Sequence, residues 1–443
     1  MVVIAADLII ILMLTKLFGF NSKETSVRAE ILAGVTTFLT MSYILAVNPA
    51  MFGNLEGMPI GAAFTATALA SIVGTLVMAF WAKLPFGLAP GMGLNAFFVY
   101  TICLGMGYPW QFALTAVLIE GLLFILLTAT KSRKAILNSI PLNLRYAIGA
   151  GIGLFIAFIG LQNAGVVVNN DSTLIALGDV ASGSPLLALT GLVITGVLYA
   201  KKVPGALLVG ILLTTLIGIP MGITEFKGIF SHPYSLESVF CQFQWDCIFT
   251  IDMLVVVFTM LFMDLFDTVG SIVGVCTKSG MVEKDGRIKR INQAFMADAI
   301  ATTAGACLGT CTTTTYVESA SGVAIGGRSG LTAFVIACCF GLSLFLSPLF
   351  LSIPSAATAP VLVIVGLFML EPVLKIDFSD YTESIPAFVC IVTIPSAYSI
   401  SDGILLSIIC YVLMNMLCGH FRKLTPTMYV LSILIILKYI YIK

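Results

Sequence analysis

The chain has 443 residues, of which 59% are hydrophobic and 10% charged, against about 25% charged in soluble domains, so a water-soluble globule is excluded. Its 22 basic and 22 acidic residues cancel, and no strongly basic face argues for nucleic acid. The expected partners are the lipid bilayer and a small molecule delivered across it.

In chain order, residues 1–24 open with an apolar run, Val2 to Ala6 and Leu8 to Leu14, broken by Asp7 and followed by Lys16. This run has neither a basic start nor a clear cleavage site, and it reads as an interfacial N-terminal helix rather than a signal peptide or a span. From Ile31 to Cys418, stretches recur that are long enough to cross a hydrocarbon core, which takes roughly 20 helical residues. The two histidines, His232 and His420, lie far apart, and the 11 cysteines are scattered mainly through apolar segments, so neither type makes a metal-site pattern. Cys241 and Cys247 share one connection and could pair in an oxidising compartment, two free thiols being the plainer reading.

Basic residues near span ends mark the cytoplasmic side, so successive basic clusters are separated by an even number of crossings. The clusters are Lys23/Arg28, Lys83, Lys131/Arg133/Lys134 with Arg145, Lys201/Lys202, Lys278 to Arg290, Arg328, Lys375 and Arg422/Lys423. These eight clusters bound seven intervals, each holding two crossings, as in Ile31 to Val47 with Phe64 to Trp81, or Leu331 to Leu351 with Ala357 to Leu370. The result is an all-α polytopic membrane protein of 14 transmembrane segments with both main termini cytoplasmic. The tail Thr427 to Ile442 is apolar, but its length and Lys438 favour an interfacial helix over a fifteenth crossing.

Two intervals are too polar for ordinary spans: one contains LAPGMGLNAFF, the other GTCTTTTYVESASG. Counted along the chain these are elements three and ten. Their separation by seven is what a seven-plus-seven repeat predicts, and because seven is odd the second half enters from the opposite side. Matched, interrupted elements in two inverted halves point to a midplane binding site in secondary transporters.

Element eight, FTMLFMDLFDTVGSIVG, places Asp264 and Asp267 three residues apart, on neighbouring positions of one helix face. Carboxylates at that depth are costly and usually serve a substrate, an ion or a proton, although either could simply be a structural partner of backbone amides or hydroxyls. Asp264 is the stronger candidate for ligand contact. In element ten, four consecutive threonines suit a short extended segment and Glu318 stands at the start of a small-residue helix, where its alternative role is a helix cap. Extended backbone at this depth is tolerated only where it is buried in protein or lines a cavity. Element three offers Pro90, Gly91, Gly93 and Asn95: glycines let backbone approach a ligand, and the Asn95 amide is both donor and acceptor, though close helix packing would use the same glycines. Phe97 and Phe98 could stack a planar ligand but equally suit ordinary core.

These residues resemble the nucleobase:cation symporter-2 superfamily, in its adenine/guanine/hypoxanthine permease (AzgA-like) branch. The resemblance spans roughly Thr25 to Gly419, through AEILAGVTTFLTMSYILAVNPA, FGLAPGMGLNAFF, AIGAGIGLFIAFIGLQNAG, FMDLFDTVGSIVGVCTKSG, TTTTYVESASGVAIGGRSGLTA and IPAFVCIVTIPSAYSISDGI. It implies a core domain of elements one to four (residues 25–130) and eight to eleven (248–353), and a gate domain of elements five to seven (131–247) and twelve to fourteen (354–420), with a tail from 421 to 443. Purine would bind between them, with Asp264 and Glu318 on the base, Asn95 completing the site and Asp267 tuning the neighbouring helix. The resemblance further implies proton symport, a homodimer, a plasma or inner membrane location and no cofactor. The apolar ends, Met1 to Phe20 and Thr427 to Ile442, depart from the family pattern.

A purine is neutral, planar and edged with N–H donors and nitrogen or carbonyl acceptors, which acids and free amides suit. Two nearby buried acids resist joint ionisation, so one readily holds a proton, the natural coupling ion for Glu318, Asp264 and Asp267. Two rivals remain at this stage. A transporter or channel for another solute or an anion would bind its cargo with helix dipoles and basic groups, which two acids oppose. A metal-dependent intramembrane enzyme using Asp264 and Asp267 lacks a third nearby ligand.

Overall fold

The computed structural model describes residues 11–130, 141–278, 281, 288, 290–425, 428, 429 and 432. Lys131, Arg133 and Lys134, most of the Lys278 to Arg290 connection and most of the C-terminal tail lie outside the described residues. Within them, residues 11–18 are helical, and Phe18 packs on Phe80 and Phe334 while Lys83 Nζ donates to the Lys16 carbonyl at 2.6 Å.

The first crossing is α1 (Val27–Met41) with α2 (Ile44–Phe52), and the second is α3 (Ile60–Val77), widened into a π-helical turn at Met78–Ala82. The third is broken into β1 (Leu88–Pro90), α4 (Met92–Ala96) and a π-helical stretch, Phe97–Gly105. The fourth and fifth are α5 (Trp110–Ala129) and α6 (Leu142–Asn163). After β2 (Val167–Asn170) and β3 (Leu174–Leu177) come α7 (Gly183–Ala200) and α8 (Ala206–Gly218). The second series runs α9 (Ile251–Lys278), α10 (Ile291–Leu308), a broken tenth element of β4 (Thr313–Thr315) and α11 (Ser319–Ile325), then α12 (Gly330–Ser343) with α13 (Ser347–Leu351), α14 (Ser355–Leu370), α15 (Tyr381–Ser396) and α16 (Ile400–Leu417). Among the described residues the order is therefore seven plus seven, as the basic clusters required. Among the described residues seven helical stretches are by themselves long and apolar enough to cross a membrane, and the helical part of the broken third element, Met92–Gly105, is one of the shorter apolar helices.

Local chemistry sets many of the ends. The hydroxyl of Ser26 accepts from the Ala29 amide at α1, Asp380 accepts from Thr382 at α15, and Ser399 accepts from Asp402 at α16, each satisfying an amide that the first helical turn leaves open. Pro59, Pro109 and Pro354 precede α3, α5 and α14, where a missing N–H costs nothing. The connection after α6 folds into the β2–β3 hairpin, with Asn170 Oδ1 accepting from the amides of Ser172 and Thr173 in its turn.

Two sets of helices pack among themselves. In one, α10 lies against α3 and α5, α12 against α1 and α3, α11 against α1, and α9 against α5; in the other, α14 lies against α6 and α7, α15 against α6 and α16, and α8 against α7. Contacts between the sets are fewer and include α1 with α8, α2 with α14, and α4 with α6. The broken elements sit in the first set and meet each other: β1 and β4 pair antiparallel, Leu88 opposite Thr315, Ala89 opposite Thr314 and Pro90 opposite Thr313. Two breaks about 220 residues apart thus satisfy each other's backbone, as unwound chain at membrane depth must.

Candidate functional site at the paired broken elements

The strand pair is locked from several directions. The Gly91 amide donates to the Thr312 carbonyl and the Tyr316 amide to Gly87, both at 3.0 Å, continuing the ladder beyond each end. The phenol of Tyr316 donates to the Pro90 carbonyl at 2.6 Å, and the Leu88 amide donates to Thr75 Oγ1 at 3.0 Å. Gly91 is required by close approach: a Cβ there would meet Thr314 Cγ2 at 2.8 Å and Asp267 Oδ2 at 3.5 Å.

Glu318 stands at the N-cap of α11, yet its side chain makes no capping bond to that helix. Its Oε1 accepts from the Tyr43 phenol at 2.8 Å instead. Tyr43 is 1% exposed and Tyr316 5%, whereas Glu318 and Asp267 are only half-buried. Asp267, Glu318 and Tyr316 lie within electrostatic reach of one another. Tyr199, in the last turn of α7, lies within electrostatic range of both Glu318 and Glu371. The two partly exposed acidic residues, Asp267 and Glu318, thus lie beside the strand pair and within electrostatic reach of each other.

Asp264 goes elsewhere. It is fully buried, and its Oδ1 lies 3.1 Å from Thr268 Oγ1, which also contacts Asp298 Oδ2 and stands 3.0 Å from Thr314 Oγ1. Asp298 Oδ1 in turn accepts from Thr315 at 3.2 Å. Glu120, from α5, accepts from Thr312 Oγ1 at 2.7 Å and is in side-chain hydrogen-bonding contact with Asp264. Asp264 thus lies behind the strands with Glu120, while Asp267, one turn further along α9, is within electrostatic reach of both Asp298 and Glu318.

Asn95 is 0% exposed in α4, and neither its Oδ1 nor its Nδ2 finds a hydrogen-bond partner among the described residues. A buried amide with both ends open is expensive unless something polar meets it. α4 borders both α9 and α6 of the second helix set, which puts this amide where the two helix sets meet. Phe97 and Phe98 are fully buried, and Phe98 stacks on Phe52 at 5.0 Å, which makes them core rather than ligand platforms. A cavity of about 110 Å³ opens between α2 and α14, lined by Val47, Asn54, Asn163, Ser355, Thr358 and Leu362, with no acid among its lining residues.

A family model described as a permease family, Xan_ur_permease, matches residues 28–430. The chain belongs to this nucleobase:cation symporter-2 family. Relatives of this permease include the guanine/hypoxanthine permease PbuG of Bacillus subtilis, 42% identical over 438 residues and covering 96% of this chain and 99% of that protein. The adenine permease AdeP of Escherichia coli is 40% identical over 430 residues, covering 97% and 96%. Among solved structures, the transmembrane domain of the cyanobacterial bicarbonate transporter BicA superposes with a TM-score of 0.61 at 18% identity, over 87% of this chain and 97% of that one. Murine Slc26a9, an anion transporter, superposes with a TM-score of 0.66 at 12% identity, over 91% and 70%. At such identities the likeness concerns the fold alone, the seven-plus-seven inverted repeat of these transporters. The permease is accordingly a multi-pass membrane transporter and not an enzyme.

Four residues of the permease's acid-rich region escaped the sequence reading: Tyr43, Glu120, Asp298 and Tyr316. Glu120 and Asp298 did carry a signal, since each is a lone carboxyl inside an apolar helix and such groups are functional candidates by default. The tyrosines carried none, because an aromatic in an apolar run looks the same whether its hydroxyl is used or not.

Proposed function

We propose that this permease imports purine nucleobases, hypoxanthine, guanine or adenine, together with protons by alternating access. The relatives named for adenine and for guanine/hypoxanthine support the substrate class. The observations that carry the site are two partly exposed acidic residues beside the strand pair, Glu318 and Asp267, within electrostatic reach of each other, and the buried, open-ended amide of Asn95 in α4, the helix that follows β1. A purine's ring N–H groups would donate to a carboxylate, and the Asn95 amide would complete the base edge with one donor and one acceptor. Asp264 holds the helix behind this edge and contributes to binding from there. Loading a base and a proton neutralises the acids and favours movement of the first helix set, the core (25–130 and 248–353), against the second, the gate (131–247 and 354–420). The main termini face the cytoplasm, where Lys and Arg concentrate, and two chains associate as a homodimer.

The test is uptake of radiolabelled hypoxanthine by cells expressing the full chain. Adenine or guanine in excess should compete while uracil should not, and uracil-selective uptake would overturn the substrate class. A protonophore at acid external pH should collapse accumulation; unchanged accumulation with a sodium requirement would remove the proton.

A further inference from the structure

Behind the strand pair lies a second group of acids, of which only Asp264 takes part in the proposed binding of the base. Glu120 is 0% exposed, and while its Oε2 accepts from Thr312, its Oε1 has no hydrogen-bond donor among the described residues. The group in side-chain hydrogen-bonding contact with Glu120 is Asp264 of α9. The other titratable groups facing Glu120 are Asp298 of α10 and Cys311, just before β4. None of these is basic, so among the described residues no cation supplies the missing donor. A carboxylate has only acceptors, and two carboxyl groups can hydrogen-bond only if one of them carries a proton. Thr268 cannot substitute for it: its hydroxyl has one proton to give and lies between Asp264, Asp298 and Thr314.

We propose that Glu120 and Asp264 share one proton behind the β1–β4 pair, and that this carboxyl pair is a proton-loading site of the transport cycle, separate from Glu318. The inference rests on the proton-coupled reading given above and deepens it. Glu120 is a positioning residue here: it reaches the substrate face only through Asp264 and through Thr312, whose carbonyl receives the Gly91 amide at 3.0 Å. Loss or gain of the shared proton changes what Asp264 can accept, and the change passes along α9 to Asp267 one turn later. Like charges that close do not ionise together, so the pair takes up or releases its proton as one unit.

The experiment uses the full chain, purified and reconstituted in liposomes, and reads uptake against external pH. Wild-type uptake should rise as the external medium is acidified. Glu120→Gln keeps the shape and the bond from Thr312 but cannot exchange the proton, so its pH profile should flatten and its accumulation ratio fall by about tenfold or more. Glu120→Asp should keep a sloping profile at reduced rate. A residue that only holds the helix would lower uptake equally at every pH, and that result, or an unchanged steep profile in Glu120→Gln, would overturn the proposal. Infrared difference spectra give a second readout that needs no transport. A protonated-carboxyl stretching band at neutral pH should vanish in both Glu120→Gln and Asp264→Asn, because the introduced amide donates in the proton's place; a band surviving both substitutions refutes the shared proton. If wild-type uptake ignores a protonophore, the coupling reading fails by itself, and the infrared band still reports whether the pair holds a proton.

Discussion

The phenol of Tyr43 and the carboxylate of Glu318, 275 residues apart, meet in a hydrogen bond of 2.8 Å that ties the first crossing to the tenth. Because α11 leaves the Glu318 side chain without a capping role, this bond is what orients the carboxylate. Hydrogen bonds to charged groups contribute about 1.5 to 3 kcal/mol. We predict that Tyr43→Phe reaches the membrane normally, since the ring itself stays buried, but raises the KM for hypoxanthine roughly tenfold or more by the same measure. An unchanged KM would mean that Glu318 is oriented by something other than Tyr43.

Glu30 does for α12 what Glu318 does not do for α11. Its buried carboxylate accepts from the amides of Arg328 at 3.1 Å, Ser329 at 3.4 Å and Thr332 at 3.2 Å, and also from the Thr332 hydroxyl. Thr25 adds a bond to the Gly326 carbonyl at 2.7 Å, so the turn after α11 is fastened to α1. Glu30→Ala leaves buried amides without an acceptor, which typically costs about 1 to 3 kcal/mol. Thermal unfolding of the purified protein in detergent should occur at a clearly lower temperature for Glu30→Ala, and at an intermediate one for Glu30→Gln, which keeps one acceptor oxygen. Equal stability of Glu30→Ala and wild type would contradict this role.

How much of this was legible beforehand divides along a physical line. The crossings could be counted because lysine and arginine stay on one side of a bilayer, and the breaks at LAPGMGLNAFF and CTTTTYVESASG showed because polar and glycine-rich chain cannot lie in lipid. That the two breaks pair with each other was not legible: strand register between Leu88–Pro90 and Thr313–Thr315 is a long-range contact with no local signal. Helical spacing placed Asp264 and Asp267 on neighbouring positions, yet 60° of helix rotation separates a face beside Glu318 from one beside Glu120, and only the packing of α5, α9 and α10 decides which acid goes where.

Of the two readings of Cys241 and Cys247, free thiols or a pair, the structure has the free thiols, and it sets Cys241 beside Cys307. The Cys241 amide donates to the Cys307 carbonyl at 2.8 Å and their thiols are in hydrogen-bonding contact. Mild oxidation with a disulfide-forming reagent such as diamide should therefore protect Cys241 and Cys307 together from maleimide labelling, leaving Cys247 reactive. Cys307 belongs to α10, in the same packed set as the strand pair, so this link should not impede uptake. Inhibition on oxidation that Cys307→Ser abolishes would show that the Cys241 connection has to move relative to α10.

Gly322 lies at a close approach of α11 to α1. A Cβ there would stand 2.1 Å from Thr37 Oγ1 and 2.5 Å from the Ala33 carbonyl oxygen. The first obstacle is a side chain and the second is backbone, so we predict that Gly322→Val abolishes most uptake and that adding Thr37→Ala does not restore it. Restoration by Thr37→Ala would mean that α11 can yield by a small side-chain adjustment and that its seat on α1 is not what places Glu318.

The decisive substitution is at Glu318 itself, where a helix cap and a substrate acceptor demand different things of the side chain. Glu318→Gln keeps the shape and can still receive the Tyr43 phenol, but it loses the charge and the titratable proton. If the residue were only a cap, the change would cost on the order of 1 kcal/mol or less and transport would survive. In the structure α11 takes no capping bond from this side chain, and Tyr43 donates to it at 2.8 Å. As a substrate acceptor, Glu318→Gln should be delivered to the membrane at normal levels yet lose most proton-driven accumulation, because a charged hydrogen bond to the base is worth about 1.5 to 3 kcal/mol. Glu318→Asp keeps the charge but shortens the reach, so it should retain the pH dependence of uptake with weaker affinity. Uptake of labelled hypoxanthine across external pH, normalised to surface expression, separates these outcomes: full accumulation by Glu318→Gln would take Glu318 out of the binding site and leave Asp267 as the acid on that face.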